Sequence, residues 1–231
     1  MLDPNVIGHV QYVLAGKARE FTRPGSRSGI HKTPVDGPVA VGINGLDGDE
    51  QGDRRVHGGP DKAVHCYPWA HYAIWQHSLP ACPLWSQPGA FGENFSITDL
   101  DEHDVCLADR WAIGTALFEV SQGRQPCWKL NDRFGVADMA RQVQASGRGG
   151  WYLRVLTPGL VAAGDAICLL QRPHPDWPIS RLMQLIHSRN CDPATLQAAL
   201  ALPLPDNWRR LFSRRLEQGQ AEDWTARLQG H

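Results

Sequence analysis

The sequence has no Cys-x-x-Cys pair, no long apolar run and almost no net charge. Its six cysteines are widely spaced, which argues against a zinc ribbon or a disulfide scaffold and favours reduced thiols in the cytoplasm. The uninterrupted apolar stretches are only a few residues long, far short of a membrane span. Because 24 acidic residues balance 23 lysines and arginines, no overall basic field indicates a nucleic-acid or membrane partner.

Several signatures of catalysis and export are absent as well. The chain contains no Gly-x-Ser-x-Gly nucleophile elbow, no His-Glu-x-x-His metal helix, no Walker loop and no dinucleotide fingerprint. Its first residues lack the charged and then apolar pattern of a secretory signal. These absences disfavour the common hydrolase and nucleotide-binding schemes, and we expect a cytoplasmic protein.

The chain does have enough apolar residues, 42% of 231, for a sizeable core. Up to about residue 170, glycine and proline separate short β-like stretches, a pattern typical of a barrel or a sandwich. Two helices are predicted among them, one after Tyr67 and one over about 136–143 that ends before Gly147. The predicted strands are 5–15, 38–43, 62–67, 104–107, 111–113, 116–121, 152–156 and 166–170.

The composition changes at residues 171–178, where three prolines are typical of a linker. Beyond this segment the apolar residues recur at helical spacing and predict three short helices. The last of these helices carries four arginines, which we interpret as a solvated basic face, with docking of a redox partner or another acidic surface as the alternative. These arginines are Arg209, Arg210, Arg214 and Arg215.

The most informative feature is a cysteine in the basic loop 121–130, SQGRQPCWKL. Cys127 follows a predicted strand, and loops at strand ends often carry chemistry. Arg124 and Lys129 flank it, and nearby cations favour the thiolate, the form that acts as nucleophile or metal ligand. On this loop alone, a small buried residue without a chemical role remains the alternative.

A second loop has the composition of an anion site. Gly58 and Gly59 allow close approach of backbone amides, while His57 and Lys62 add basic side chains. A polar turn between strands is the alternative. Two further glycine-rich loops carry candidate site residues, Asn94 beside Glu93 in one loop and Arg148 in the other. For each of these residues, a structural role is the alternative.

Taken together, these loops resemble the MOSC-domain proteins of the YiiM type. The matching segments, in the family's order and spacing, are 48–51, 57–63, 91–94, 120–122 and 126–130. Residues 158–165 resemble the family's closing barrel strands, and the C-terminal helices resemble its small three-helix domain. Two loop residues depart from the family pattern, Gly52 and Gly123, where alanine and proline are usual.

The resemblance implies an α+β fold that is mainly β. The expected architecture is a MOSC β-barrel with packed helices, followed by a small C-terminal three-helix bundle. The MOSC domain is predicted at residues 1–170 and the three-helix domain at 176–231.

The resemblance also implies a molybdenum cofactor, molybdopterin, in which a phosphorylated pterin holds the metal by its dithiolene. Cys127 matches the loop cysteine that gives molybdenum a further thiolate in related enzymes, so it is the predicted catalytic residue and metal ligand. The pterin phosphate requires an anion cradle. The predicted cofactor-binding residues are His57, Gly58, Gly59, Lys62, Asn94, Arg124, Lys129 and Arg148.

Family members of this type are linked to reductive detoxification of N-hydroxylated bases such as 6-N-hydroxylaminopurine. The resemblance thus implies an oxidoreductase that removes the oxygen of an N–OH group and yields the amine. A separate reductase is the expected electron donor, since the chain has no iron–sulfur, haem or flavin motif. Glu93 and His57 are candidate proton sources.

A non-catalytic cofactor carrier or a sulfur-handling module is the alternative, because MOSC domains also occur fused to cofactor sulfurases. The expected partners are a small N-hydroxylated substrate and a redox protein, with no nucleic acid and no membrane. The oligomeric state stays open, with a homodimer as one option.

Overall fold

The computed structural model describes residues 5–52 and 58–230. Within them, the strands are β1 (Val6–Ala15), β2 (Arg19–Glu20), β3 (Arg27–Ser28), β4 (Thr33–Pro34), β5 (Val39–Gly42), β6 (Gly45–Leu46), β7 (Val64–Pro68), β8 (Phe95–Thr98), β9 (Arg110–Ile113), β10 (Ala116–Gly123), β11 (Trp151–Thr157), β12 (Gly159–Val161) and β13 (Ala166–Gln171). The α-helices are α1 (Ala70–Ser78), α2 (Lys129–Phe134), α3 (Met139–Ser146), α4 (Ile179–His187), α5 (Pro193–Leu200), α6 (Asp206–Gln218) and α7 (Thr225–Gln229). Over this part of the chain, every helix is too short or too polar to cross a membrane.

Seven strands close into a barrel, in the order β1, β8, β7, β11, β10, β9 and β13, with β13 pairing back to β1. All these pairs are antiparallel except β7 with β8. Closure removes the free strand edges that an open sheet would expose. The predicted fold, mainly β with packed helices and a helical C-terminal region, is confirmed.

The barrel core is built from large side chains on facing strands. Trp111 and Trp151 are completely buried and meet edge to face, with ring centroids 6.1 Å apart. The core continues without interruption into the C-terminal helices, because Ile179 and Met183 of α4 pack against β10. At Gly123 an added Cβ would lie 2.4 Å from the sulfur of Met183, so glycine allows α4 to approach the strand closely.

The proline-rich segment 171–178 packs against the barrel. Arg172 forms an ion pair of 2.7 Å with the fully buried carboxylate of Asp109, and the Leu107 amide donates to the Trp177 carbonyl at 3.1 Å. These contacts hold the start of α4 beside the barrel strands. The domain boundary near residue 170 stays a prediction.

Several expectations for local structure were wrong. Residues 104–107 form turns with a single bridge between Cys106 and Pro178, since the Asp109 carboxylate accepts the Cys106 amide. The barrel strand β8 and the short helices α2 and α7 were missed because their stretches of four to six residues are too short for a clear period. Arg215, expected on a solvated face, is fully buried.

Candidate active site

Cys127 lies between the end of β10 and the start of α2, and it is partly exposed. The strand side of the loop is held by the Arg124 amide, which donates to the Gly150 carbonyl at 2.9 Å. On the helix side, the Leu130 amide donates to the Cys127 carbonyl at 3.0 Å. The cysteine is therefore fixed at both ends of its loop and open to a cavity.

Two adjoining pockets meet at this cysteine. The inner pocket, of about 100 Å³, is the space bounded by Lys32, Asp49, His65, Asn94 and Arg124. The outer pocket, of about 730 Å³, is the space bounded by Arg27, Gly123, Trp128, Ala226 and Arg227. The residues that line both pockets are Gly52, Lys62, Gln125, Cys127, Lys129 and Tyr152.

The base of the inner pocket is a buried polar network. The Lys32 ammonium is ion-paired with the Asp49 carboxylate, whose other oxygen accepts the Asn94 amide group at 2.9 Å. The Asn94 side-chain oxygen in turn accepts the His65 backbone amide at 3.1 Å. Asn94 therefore joins β7 to the loop that carries Asp49. Its side-chain oxygen and nitrogen are both hydrogen-bonded to other groups of the protein.

Two residues that line the inner pocket, Arg124 and Gln125, have buried hydrogen-bond donors without a partner among the described residues. Arg124 is 7% exposed, and its Nη2 donates to the Phe91 carbonyl at 3.4 Å. Within residues 5–52 and 58–230, Arg124 Nη1 and Gln125 Nε2 are buried and make no hydrogen bond. A buried donor that remains unsatisfied costs about 1–3 kcal/mol. Two such donors on one pocket wall indicate a site built for an acceptor, and an anion above all.

The pKa shifts around the cysteine follow from burial. Burial lowers the pKa of Lys62, and the charges of Asp61 and Cys127 oppose that change. Burial and the nearby charge of Arg124 lower the pKa of His65 to about 3, so its imidazole is neutral at pH 7. Burial raises the pKa of Tyr152, which therefore keeps its phenolic proton.

The structure brings five of the predicted site residues into the two pockets. Cys127, Lys62 and Lys129 line both, whereas Asn94 and Arg124 line the inner one. Lys129 is buried, and its Nζ donates to the Arg27 carbonyl at 2.5 Å.

The remaining predicted residues lie elsewhere. Gly58 and Gly59 precede a 3₁₀ turn and are not among the described lining residues, although Gly59 has the positive φ of 97° expected of a glycine turn. The Arg148 guanidinium lies 5.9 Å from the ring centre of Trp75, in a separate groove. His57 lies outside the described residues.

Other residues of the two pockets were missed in the sequence. They include Lys32, His65, Gln125, Tyr152 and Arg227. Gln125 has a local signal, because it is two residues from the cysteine. The other four are distant in sequence and carry no motif, and only the fold brings them to the site. Glu93, a candidate proton source, lines neither pocket and binds four donors of its own surroundings.

Comparison with known proteins establishes the family of the chain. The family model of the MOSC domain matches residues 53–168 of the sequence. The family model of the YiiM-like 3-alpha helix domain matches residues 177–219. The protein YiiM of Escherichia coli is 37% identical over 94% of this chain and 97% of its own length. Its crystal structure superposes with a TM-score of 0.80 at 31% identity, covering 96% of this chain and 98% of that chain.

A longer relative is named as a reductase. This protein of Gibberella moniliformis is 36% identical over 90% of the chain, which spans 37% of that relative's length. The matched MOSC domain and the similarity to YiiM show that this barrel with its loop cysteine is a MOSC domain, and the chain belongs to that family. Within it, the helical C-terminal domain and the similarity over nearly the whole length make it a member of the YiiM type.

Proposed function

We propose that the chain is a molybdenum-cofactor-dependent reductase of N-hydroxylated compounds such as 6-N-hydroxylaminopurine. The observation that supports this function best is Cys127, a partly exposed thiol at the junction of two pockets. Next to it, Arg124 and Gln125 present buried donors without partners among the described residues. A thiolate ligand beside an anion cradle is the combination that a phosphorylated metallopterin requires.

The residues present fit this cofactor. The inner pocket, in which the phosphate group would lie, is lined by Cys127 together with the cations Lys62 and Arg124. Arg124 Nη1 and Gln125 Nε2 would donate to that phosphate, and Cys127 Sγ would bind the metal. When bound, the cofactor supplies two-electron redox chemistry at a thiolate-coordinated molybdenum.

The protein itself has to bind and orient the cofactor and the substrate, and to deliver protons to the substrate. Conversion of R–NHOH to R–NH₂ breaks the N–O bond, consumes two electrons and two protons, and releases one water. We assign the electrons to a separate reductase, because the sequence has no flavin, haem or iron–sulfur motif. Lys62, at Nζ, and Tyr152, at its hydroxyl, carry protons and line both pockets, so they are the candidates to deliver them.

The decisive experiment uses protein produced with its cofactor and checked for molybdenum by elemental analysis. Reduction of 6-N-hydroxylaminopurine is followed with reduced methyl viologen as electron donor. We expect Cys127→Ser to lower turnover by at least ~100-fold, more than the loss of a supporting residue around a metal. Cys191→Ser is the matched control, since Cys191 is also partly exposed but lines neither pocket.

Two outcomes would count against the proposal. Full activity of the Cys127→Ser enzyme would exclude the assigned role of the cysteine. Wild-type protein that contains molybdenum, exchanges it readily with added cofactor and shows no turnover would indicate the carrier alternative.

A further inference from the structure

The last helix, α7, leads the chain back from the C-terminal helices to the cysteine loop of the barrel. Gly219 ends α6 in the left-handed conformation, and α7 begins at Thr225. With five residues, α7 is too short to be stable as an isolated helix in water. Its place on the barrel therefore depends on the groups that bind its backbone and side chains.

The backbone of α7 is bound by the residues that follow Cys127. The last carbonyls of a helix have no partner within the helix. Here the Trp128 amide donates to the Arg227 carbonyl at 2.8 Å, and the Asn131 side chain donates to the Leu228 carbonyl at 2.8 Å. The end of α7 and the cysteine loop thus satisfy each other's polar groups.

Arg23 holds the end of this segment against the same loop. Its Nη1 donates to the carbonyls of Gln229 and Gly230, at 2.8 and 2.7 Å, and its guanidinium lies 4.0 Å from the ring centre of Trp128. Gly230 has a positive φ of 74°, and an added Cβ would lie 2.7 Å from Trp128 Cγ. Only glycine therefore allows this close approach to the tryptophan.

The side chain of Arg227 reaches the other side of the cysteine. Its Nη1 donates to the Pro126 carbonyl at 3.1 Å, and its Nη2 donates to the Gln144 side chain of α3 at 2.7 Å. Pro126 and Trp128 are the two sequence neighbours of Cys127. One residue of α7 therefore binds the chain directly before and directly after the cysteine.

The chemistry of arginine suits this double contact. Burial lowers the pKa of Arg227 to about 10, against the opposing charges of Cys127 and Glu222. The guanidinium is thus charged at pH 7, and a charged donor makes a stronger hydrogen bond than a neutral one. Its planar fork also binds two separate elements at once, which the single nitrogen of a lysine does less well.

We infer that Arg227 is a positioning residue, which fixes the direction of the Cys127 thiol through the carbonyl of Pro126 and the amide of Trp128. The amides of Arg124 and Leu130 hold the two ends of the loop, whereas Arg227 holds its middle. The consequence for turnover rests on the proposed function. A ligand thiol that is slightly misplaced loses rate, because the reacting groups must meet in one geometry.

The first test measures hydrogen exchange of single backbone amides by NMR on the purified full-length protein. The Trp128 amide reports directly on the contact, since its acceptor is the Arg227 carbonyl. In Arg227→Ala we expect it to exchange at least ~10-fold faster, relative to the amides of β9 and β13, as after loss of a charge-assisted hydrogen bond. Arg227→Lys should restore part of the protection.

Two further variants make this test specific. Gly230→Ala crowds Trp128 without altering Arg227, and it should also speed exchange of the Trp128 amide. Arg209→Ala is the matched control, because Arg209 likewise donates to two backbone carbonyls, those of Leu200 and Leu202, but lines neither pocket. It should leave the relative exchange of Trp128 unchanged. Thermal melting verifies that each variant is folded.

The second test measures turnover of 6-N-hydroxylaminopurine by the cofactor-loaded enzyme with reduced methyl viologen. The rate is divided by the molybdenum content of each preparation. We expect Arg227→Ala to lower kcat by about 10–100-fold with little change in KM, as for a supporting residue around a metal. Arg227→Lys should lie between this variant and the wild type, and Arg209→Ala should match the wild type.

The outcomes separate this inference from the proposed function. Unchanged exchange of Trp128 in folded Arg227→Ala would overturn it, and so would an equal increase in β9 and β13, which would assign Arg227 to global stability. Faster exchange of Trp128 with an unchanged kcat per molybdenum would overturn the positioning role. If the wild type shows no turnover while Arg227→Ala still speeds exchange at Trp128, the proposed reaction fails and the role of Arg227 in holding the loop stands.

Discussion

The Lys32 ammonium and the Asp49 carboxylate form an ion pair that is almost completely buried, with 6% and 5% of the two side chains exposed. The same carboxylate accepts the Gly16 amide and the Asn94 side chain, each at 2.9 Å. The pair therefore ties together four segments, those that carry Gly16, Lys32, Asp49 and Asn94, at the base of the inner pocket.

Replacing Lys32 by methionine should destabilise the protein by about 3–5 kcal/mol, because Asp49 would be left buried and unpaired. Lys17→Met is the matched control. Lys17 forms an exposed ion pair with Glu50, with 59% and 45% of the side chains exposed, so its loss should lower the stability far less than the loss of Lys32. Urea denaturation of both variants gives their free energies of unfolding. Equal losses in the two variants would show that water screens the ion pair between Lys32 and Asp49.

Acid should destabilise the fold through His65. Its pKa is about 3 in the folded protein, because of burial first and the charge of Arg124 second, against 6.5 when unfolded. The contribution of the neutral His65 imidazole to the free energy of unfolding is thus complete above pH 6.5, and it is lost as the pH falls towards 3. The expected loss is roughly 3 kcal/mol between pH 6.5 and about pH 4.

The variant His65→Gln should flatten this pH dependence, since glutamine does not titrate and can still donate to the Gly149 carbonyl that His65 Nε2 contacts at 3.3 Å. His77→Gln, an exposed histidine of α1, should leave the profile unchanged. Denaturant unfolding measured across the pH range tests both. An unaltered slope in His65→Gln would assign the acid sensitivity to other groups.

Glu93 should prove structural. Its carboxylate is fully buried and accepts the Tyr72 hydroxyl at 2.5 Å, the Gly89 amide at 2.8 Å and the Ser96 hydroxyl at 3.0 Å. Glu93→Gln replaces one acceptor by a donor and should destabilise by about 2–4 kcal/mol. Turnover per folded molecule should be unchanged, and the exposed Glu20→Gln is the control for stability. A selective loss of turnover would restore Glu93 as a proton source.

Arg215 should be the most important arginine of α6 for stability. It is fully buried and donates to the carbonyls of Leu185 and Ile186, at 2.9 and 2.7 Å, in the last turn of α4. Arg215→Ala removes these buried bonds together with the ion pair to Glu222 and should cost about 3–5 kcal/mol. The neighbouring Arg214 is exposed, and Arg214→Ala should change stability by less than about 0.5 kcal/mol. Thermal or denaturant unfolding distinguishes the two.

The contrast between Arg214 and Arg215 shows a limit of the sequence. Two adjacent arginines on one helix have the same composition signal, so both fit a solvated basic face. Only the packing of α6 against α4 decides that Arg215 turns inward. A similar limit applies to Asn94, whose loop motif predicts a site but whose side chain is fully engaged in holding Asp49 and His65 in place.

The sequence alone determined the family and the barrel of short strands, and it predicted a role for Cys127, because turn residues, strand periodicity and loop motifs are local along the chain. The tertiary structure decided which charges reach that cysteine. Arg227 and Pro126 are 101 residues apart, and the Asp49 that pairs with Lys32 is held by Gly16 and Asn94, which come from other segments of the chain. Burial and long-range proximity set charge and pKa, and neither property is encoded in any short segment of the chain.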